Sequence, residues 1–303
     1  GLGVLASNGE GRQDFWQGLK EGRVGYRPIT LFETDDLLAR QAGEITAFDA
    51  KNYLGAKGLR NMDRSTRLLV SAGRLAVEDS GLVITEENTD QFGVAVGTTF
   101  GSLKSIVDFD EVILREGPRY TSPALFPNTV INSPASQVSI WQNIQGFNST
   151  ISTGFTASLD AMKYACDFIE LDRVQAVLTG GVEELCFPTF LGFHSLQFLS
   201  GSKTGEPFVN CPFDQRRNGI TFGEGACLMA MEDHDYARQR GAAVLAEVAG
   251  FGYHFHPYRI GKYHPSGIGM RRAMQGALDE AGLQAADIGC ICANANSTQA
   301  ADK

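Results

Sequence analysis

Residues 149–181 constrain this chain more than any other stretch. Ser149–Thr153 reads as a short strand, 156–170 (TASLDAMKYACDFIE) as an amphipathic helix, and Val174–Thr179 as an apolar strand ending at Gly180-Gly181. Strand, helix and strand at this spacing make a right-handed crossover within a parallel sheet. The pattern predicts an α/β fold with mainly parallel sheets.

Other segments read the same way. Gly1–Ala6 is a short buried strand with a turn at Ser7-Asn8-Gly9, and 12–21 places Phe15, Trp16 and Leu19 on one helix face. Asp63 can cap a long helix, Arg64–Asp79, that ends before Gly81. Phe92–Thr98 is a strand running into the loop 97–101. The Pro-, Asn- and Ser-rich segment 121–148 holds an apolar helical turn or two over Gln137–Ile144. Val244–Ala249, a helix over 266–282 opened by Ser266, and Ile288–Ala293 repeat the α/β element order. That repetition suggests two similar halves.

A net charge of −9 argues against a nucleic-acid or anionic-membrane surface. No apolar run reaches the roughly 20 residues that span a bilayer, and no signal peptide is visible. The expected compartment is the cytoplasm. The six cysteines form no CxxC pair and read as free thiols. His254 and His256 could share a strand face, but no nearby carboxylate or thiol completes a site, so no metal is expected. A GxGxxG dinucleotide motif is absent. Both ends look cut, Gly1 opening inside a strand and Lys303 closing just after a motif; the expectation is a piece of a longer chain.

The chemistry concentrates where the strand meets the helix, in Asn148–Ile169. A side chain in that first helical turn feels the positive end of the helix dipole, where a thiolate is stabilised. Phe155 stands there, and it has no nucleophilic atom. The hydroxyls of Ser152, Thr153, Thr156 and Ser158 read first as helix caps.

Ser152-Thr153-Gly154-Phe155-Thr156-Ala157-Ser158 resembles the elbow of the β-ketoacyl-acyl-carrier-protein synthases, which reads approximately STACATS. Other blocks match in order: NMDRST (61–66), PASQVSI (134–140), TGGVEE (179–184) and CPFDQRRNGITFGEGA (211–226). The resemblance implies the thiolase fold, two similar fused α/β halves in five layers (αβαβα), with the second half incomplete. It divides the chain into residues 1–235, one half with capping insertions, and 236–303, the start of the other.

The departures bear on function. Phe155 occupies the nucleophile position, and the run 292–298 places Asn294 where the family has its first catalytic histidine. A lysine, a second histidine and a glycine-rich loop would fall beyond Lys303. Condensation needs a sulfur to carry the acyl chain. Asn294 can donate a hydrogen bond but cannot become cationic, so histidine-type decarboxylation is also disfavoured.

The resemblance therefore points to the inactive chain-length factor of type II polyketide and aryl-polyene systems. That subunit pairs with a catalytic ketosynthase and shapes its acyl tunnel. No catalytic residue is intact. Candidates for the interface or tunnel are Ser133, Pro134, Gln137, Trp141, Phe193 and His194, and a Phe155 ring at the old pocket is expected to fill it. No resident cofactor is implied; acyl groups would ride on the phosphopantetheine of an acyl carrier protein, the second expected partner. Arg64 with Asp63, and Asp214 with Arg216 and Arg217, read as structural ion pairs rather than carrier contacts. Alternatives are an acyltransferase using a displaced hydroxyl, Ser152 or Thr156, and a purely structural homodimeric relative.

Overall fold

The computed structural model describes residues 1–258 and 263–302. The chain divides into two compact units, Gly1–Leu196 with Phe222–Ala243, and Gln197–Thr221 with the chain from Val244 on.

The first unit opens with β1 (Leu2–Ala6), β2 (Gly9–Glu10) and α1 (Arg12–Glu21), followed by a ribbon of β3 (Arg27–Pro28) and β4 (Gln41–Ala42). Next come α2 (Lys51–Leu54), α3 (Arg64–Ser80), β5 (Phe92–Gly97), α4 (Leu103–Arg115), α5 (Ser133–Gln142) and β6 (Asn148–Ile151). The unit closes with α6 (Ala157–Glu170), β7 (Ala176–Glu183), α7 (Phe187–Ser195), β8 (Gly225–Glu232) and α8 (His234–Gln239).

Its sheet has the order β2-β1-β8-β7-β5-β6. β5 lies parallel to both β6 and β7, whereas β8 is antiparallel to β7 and to β1. The sheet is mixed, not mainly parallel as the spacing predicts. The cause is the return path: β7 ends at Glu183 and β8 begins beside it at Gly225, so β8 re-enters at the same end and must run back.

Helices cover both faces. Asp63 caps α3 by accepting the Thr66 N–H at 2.8 Å, and Gly81 (φ 63) ends it in the left-handed region. Leu68, Leu69, Ala72 and Ala76 of α3 and Val138 of α5 pack on Val94 and Val96 of β5, Leu178 of β7 and Leu228 of β8. On the opposite face, Ala161 and Ala165 of α6 meet Ala95 and Val177. The alternation of Val94, Ala95 and Val96 is the period-2 signature of a strand buried on both sides.

Several boundaries shift. β7 continues through Gly180-Gly181 to Glu183 instead of ending there, because the glycines serve packing rather than a turn. A Cβ at Gly180 (φ 146) would lie 2.1 Å from the Cys227 carbonyl oxygen. The segment read as a short turn over Gln137–Ile144 is the full helix α5, starting at Ser133. α4 starts after Ser102, a residue type that favours the N-cap position, yet Ser102 makes no side-chain cap bond.

In the second unit α9 (Ile268–Ala281) sits between Gly267 and Gly282, both left-handed. Ser266 does not open it; its hydroxyl pairs with His264 Nδ1 at 2.7 Å. Among the described residues the predicted strands Val244–Ala249 and Ile288–Ala293 do not form: no ladder includes them, and Val244, Leu245, Ile288 and Ile291 are exposed. β-branched residues favour a strand only where a partner edge and a covered face exist. Among the described residues no helix is long and apolar enough to cross a membrane, and no group of three or more His, Cys, Asp or Glu residues is placed to hold a metal ion.

Candidate functional site

The strand-to-helix corner follows directly from small residues at close approaches. β6 delivers Ser152 and Thr153 to Gly154, whose φ of 87 only glycine adopts at little cost. The start of α6 then presses onto the end of β5: a Cβ at Gly97 would come 2.3 Å from the Ser158 nitrogen. A Cβ at Gly181 would come 2.1 Å from Ser158 Oγ. Any residue other than glycine at 97 or 181 pushes the helix start off the sheet.

The corner is tied to the loop after β5. Thr99 Oγ1 donates to the Gly154 carbonyl at 3.2 Å, and Ser152 Oγ donates to the Thr99 carbonyl at 3.3 Å. That loop is anchored in turn by Glu183, which accepts from the Thr99 N–H and from Thr98 Oγ1 at 3.1 Å. Burial pushes the Glu183 carboxyl above its ordinary range, and these donors only partly offset it.

Phe155 does not fill the old pocket. Its side chain is turned out by the Gly154 corner, leaving the residue 77% exposed, with its ring 6.2 Å from Phe193. Phe193 is the hub of an aromatic group, 5.9 Å from Phe100 and 5.1 Å from Phe222. Beside Phe155 a cavity of about 420 Å³ remains, lined among others by Thr98, Ser158, Glu183 and Cys227. Cys227 brings a thiol to this wall, but burial pushes its pKa up, which keeps it protonated and a poor nucleophile.

Three hydroxyls at the corner are engaged, that of Ser152 with the Thr99 carbonyl. Thr153 and Thr156 both donate to Asp160 Oδ2, the second at 3.1 Å. Asn294 lies in the other unit and is exposed. Its loop is organised by buried Asp302, which accepts the N–H groups of Asn296 and Ser297 at 3.0 Å and of Phe213 at 3.1 Å.

The remaining candidates fall into two places. Ser133 and Pro134 are buried at the start of α5, and Gln137 is half-buried one turn on. Trp141 packs its ring inward, on the clusters of α3 and of Leu59 and Met62. The outward apolar residue of α5 is Ile140, 68% exposed, which joins exposed Tyr120, Leu125, Phe126, Val130 and Ile131. His194, half-buried on α7, accepts the Leu38 N–H at Nε2.

Arg64 forms a structural pair, but with Glu224 rather than Asp63. Its Nε and Nη2 donate to the two Glu224 oxygens at 2.6 Å, and Glu224 also accepts the Ile45 N–H. Arg216 pairs with Asp214 at 2.9 Å in the open. Glu184 closes the TGGVEE block, where nothing in the motif marks it apart; it is a 4% exposed carboxyl that burial pushes up to about 7.

Comparison with known proteins gives a consistent result. The model of the Beta-ketoacyl synthase, N-terminal domain matches residues 1–236, and that of the Beta-ketoacyl synthase, C-terminal domain matches 245–303. The 3-oxoacyl-[acyl-carrier-protein] synthase 2 of Vibrio cholerae is 34% identical over all 303 residues, which cover 73% of its length. A solved structure described as the ishigamide ketosynthase/chain length factor superposes with a TM-score of 0.90 at 31% identity, over 100% of this chain and 73% of that one. A type II PKS acyl-carrier protein in complex with its ketosynthase bound to the hexaketide (AntDE:AntF) gives a TM-score of 0.88 at 26% identity, covering 100% and 74%.

Proposed function

The chain belongs to the beta-ketoacyl synthase family, and from that premise we propose that it is a non-catalytic, chain-length-factor-like subunit. In this reading it pairs with an active ketosynthase and shapes that partner's acyl tunnel during fatty-acid-like or polyketide elongation. Its fold is the α/β ketosynthase (thiolase) fold with a mixed sheet. We assign residues 1–235 to the first half of that fold and 236–303 to the start of the second.

Phe155 carries the proposal. The corner that should present a nucleophile keeps its glycine, its loop anchor and its helix start, yet offers only a phenyl ring. No acyl thioester can form on carbon. Asn294 in place of histidine removes the family's cationic partner as well.

Support for a partner comes from β6 and the segment before it. β6 ends the sheet, so one side of its backbone is left unpaired among the described residues. Exposed Tyr120, Leu125, Phe126, Val130, Ile131 and Ile140 belong to the run leading into it. A concentration of exposed apolar side chains next to an open strand edge suits a protein interface. Ser133, Pro134, Gln137 and Trp141 would then set the shape of that face from beneath, and Phe193 with His194 would border the tunnel. The acyl chain itself would arrive on the phosphopantetheine of an acyl carrier protein.

One observation favours the acyltransferase reading. Asp160 accepts from both the Thr153 and Thr156 hydroxyls, a carboxylate placed to take a proton from either. Co-expression with a Cys-His-His ketosynthase of the same family tests the choice. A stable complex in which only the ketosynthase is acylated supports the subunit role. No complex, together with an acyl group on Ser152, Thr156 or the neighbouring Thr153, supports the alternative.

A further inference from the structure

We propose that Glu184 is a proton-operated latch on the first turn of α4. The local cap is missing: Ser102 makes no side-chain cap bond, and its buried hydroxyl has no partner among the described residues. The cap comes instead from across the chain, where Glu184 Oε1 accepts the Lys104 N–H at 3.0 Å. A second carboxylate stands at the same place. Asp63 caps α3 through Thr66 and also accepts the Ser105 hydroxyl at 2.9 Å. Two helix starts thus converge on two acids, and the positive ends of both dipoles face them.

The charged and titratable groups facing Glu184 are Asp63 and Arg64 at the head of α3, Lys104 on α4 and Cys186 after β7. Neither cation is paired to it. Arg64 is held by Glu224, and Lys104 Nζ by Asp108 at 2.5 Å. Burial and Asp63 favour the neutral acid, whereas the Lys104 and Ser65 N–H groups favour the carboxylate, and the balance falls near neutrality.

Protonation turns a charge-assisted bond into an ordinary one and takes the anion from the α4 dipole. The first turn of α4 loosens. α4 in turn supports the apolar run: Phe109 packs on Phe126 with ring centroids 6.0 Å apart. The link from the latch to partner binding rests on the proposed function; the latch itself does not.

Hydrogen exchange of the Lys104 amide in the 303-residue chain, corrected for the intrinsic effect of pH, reads the latch alone. Its protection is expected to drop about fivefold between about pH 8 and about pH 6, and Glu184→Gln is expected to give the low value at both. Protection independent of pH in the unaltered chain, or unchanged pH dependence in Glu184→Gln, overturns the proposal. Should Glu184→Gln not fold, infrared spectra of the unaltered chain decide. A buried carboxylic-acid C=O band that disappears through neutrality supports the latch, and its absence overturns it.

Discussion

A phenyl ring at the head of α6 changes what this scaffold can hold without changing the scaffold. Gly154 still makes the corner, and the first turn of α6 still offers its N–H groups. Phe155→Cys should therefore accept an acyl group from an acyl thioester, read as a mass increase on that residue, while the unaltered chain gains none. Carbon–carbon bond formation should not follow, because Asn294 supplies no cationic partner. Arg64 marks a second residue whose change has a defined cost. It pairs with a Glu224 side chain that is fully buried, so Arg64→Met leaves a buried charge unpaired. A loss of about 3 to 5 kcal/mol is expected in urea unfolding. The corner at Phe155 was legible in the sequence because it is local, strand, glycine and helix following one another, whereas the outward turn of the ring was not. The Arg64–Glu224 pair was not, since the two residues are distant in sequence and meet only once β8 has returned beside β7.

At the scale of elements, the caps decide both what forms and what responds to pH. Glu184 titrates near 7 in the folded chain against the ordinary 4.5. The folded form binds this proton more tightly, so the stability it contributes is complete below about pH 4.5 and is lost as pH rises through 7. At about 1.4 kcal/mol per unit, its share is about 3 kcal/mol. Unfolding free energies across that window should fall with rising pH, and Glu184→Gln should remove that part of the slope. Helix α3 was readable because Asp63 and Gly81 mark its ends in sequence. The true cap of α4 was hidden because it lies on another element, at Glu184. α5 was placed too late, at Gln137 instead of Ser133, and the residue facing outward was accordingly missed: Ile140 is exposed and Trp141 turns inward. The direction of β8 and the failure of Val244–Ala249 and Ile288–Ala293 to pair depend on partners, which periodicity along one segment does not report.

For the molecule as a whole, the sheet stops at β6 beside a run of exposed apolar residues, and the proposed subunit role puts the partner on that edge. Ile140→Lys should weaken a complex with the partner ketosynthase about tenfold or more, measured by titration calorimetry, while leaving the chain's own stability within about 0.5 kcal/mol. An unchanged affinity would move the interface elsewhere. Whether an acyl chain is ever held by this subunit is read most directly by mass spectrometry of the assembled pair after incubation with an acyl thioester and peptide mapping. The expected adduct sits on the partner's polypeptide alone. An acyl group bonded to any residue of this chain, Thr153 and Thr156 included, would contradict a subunit that works by shape.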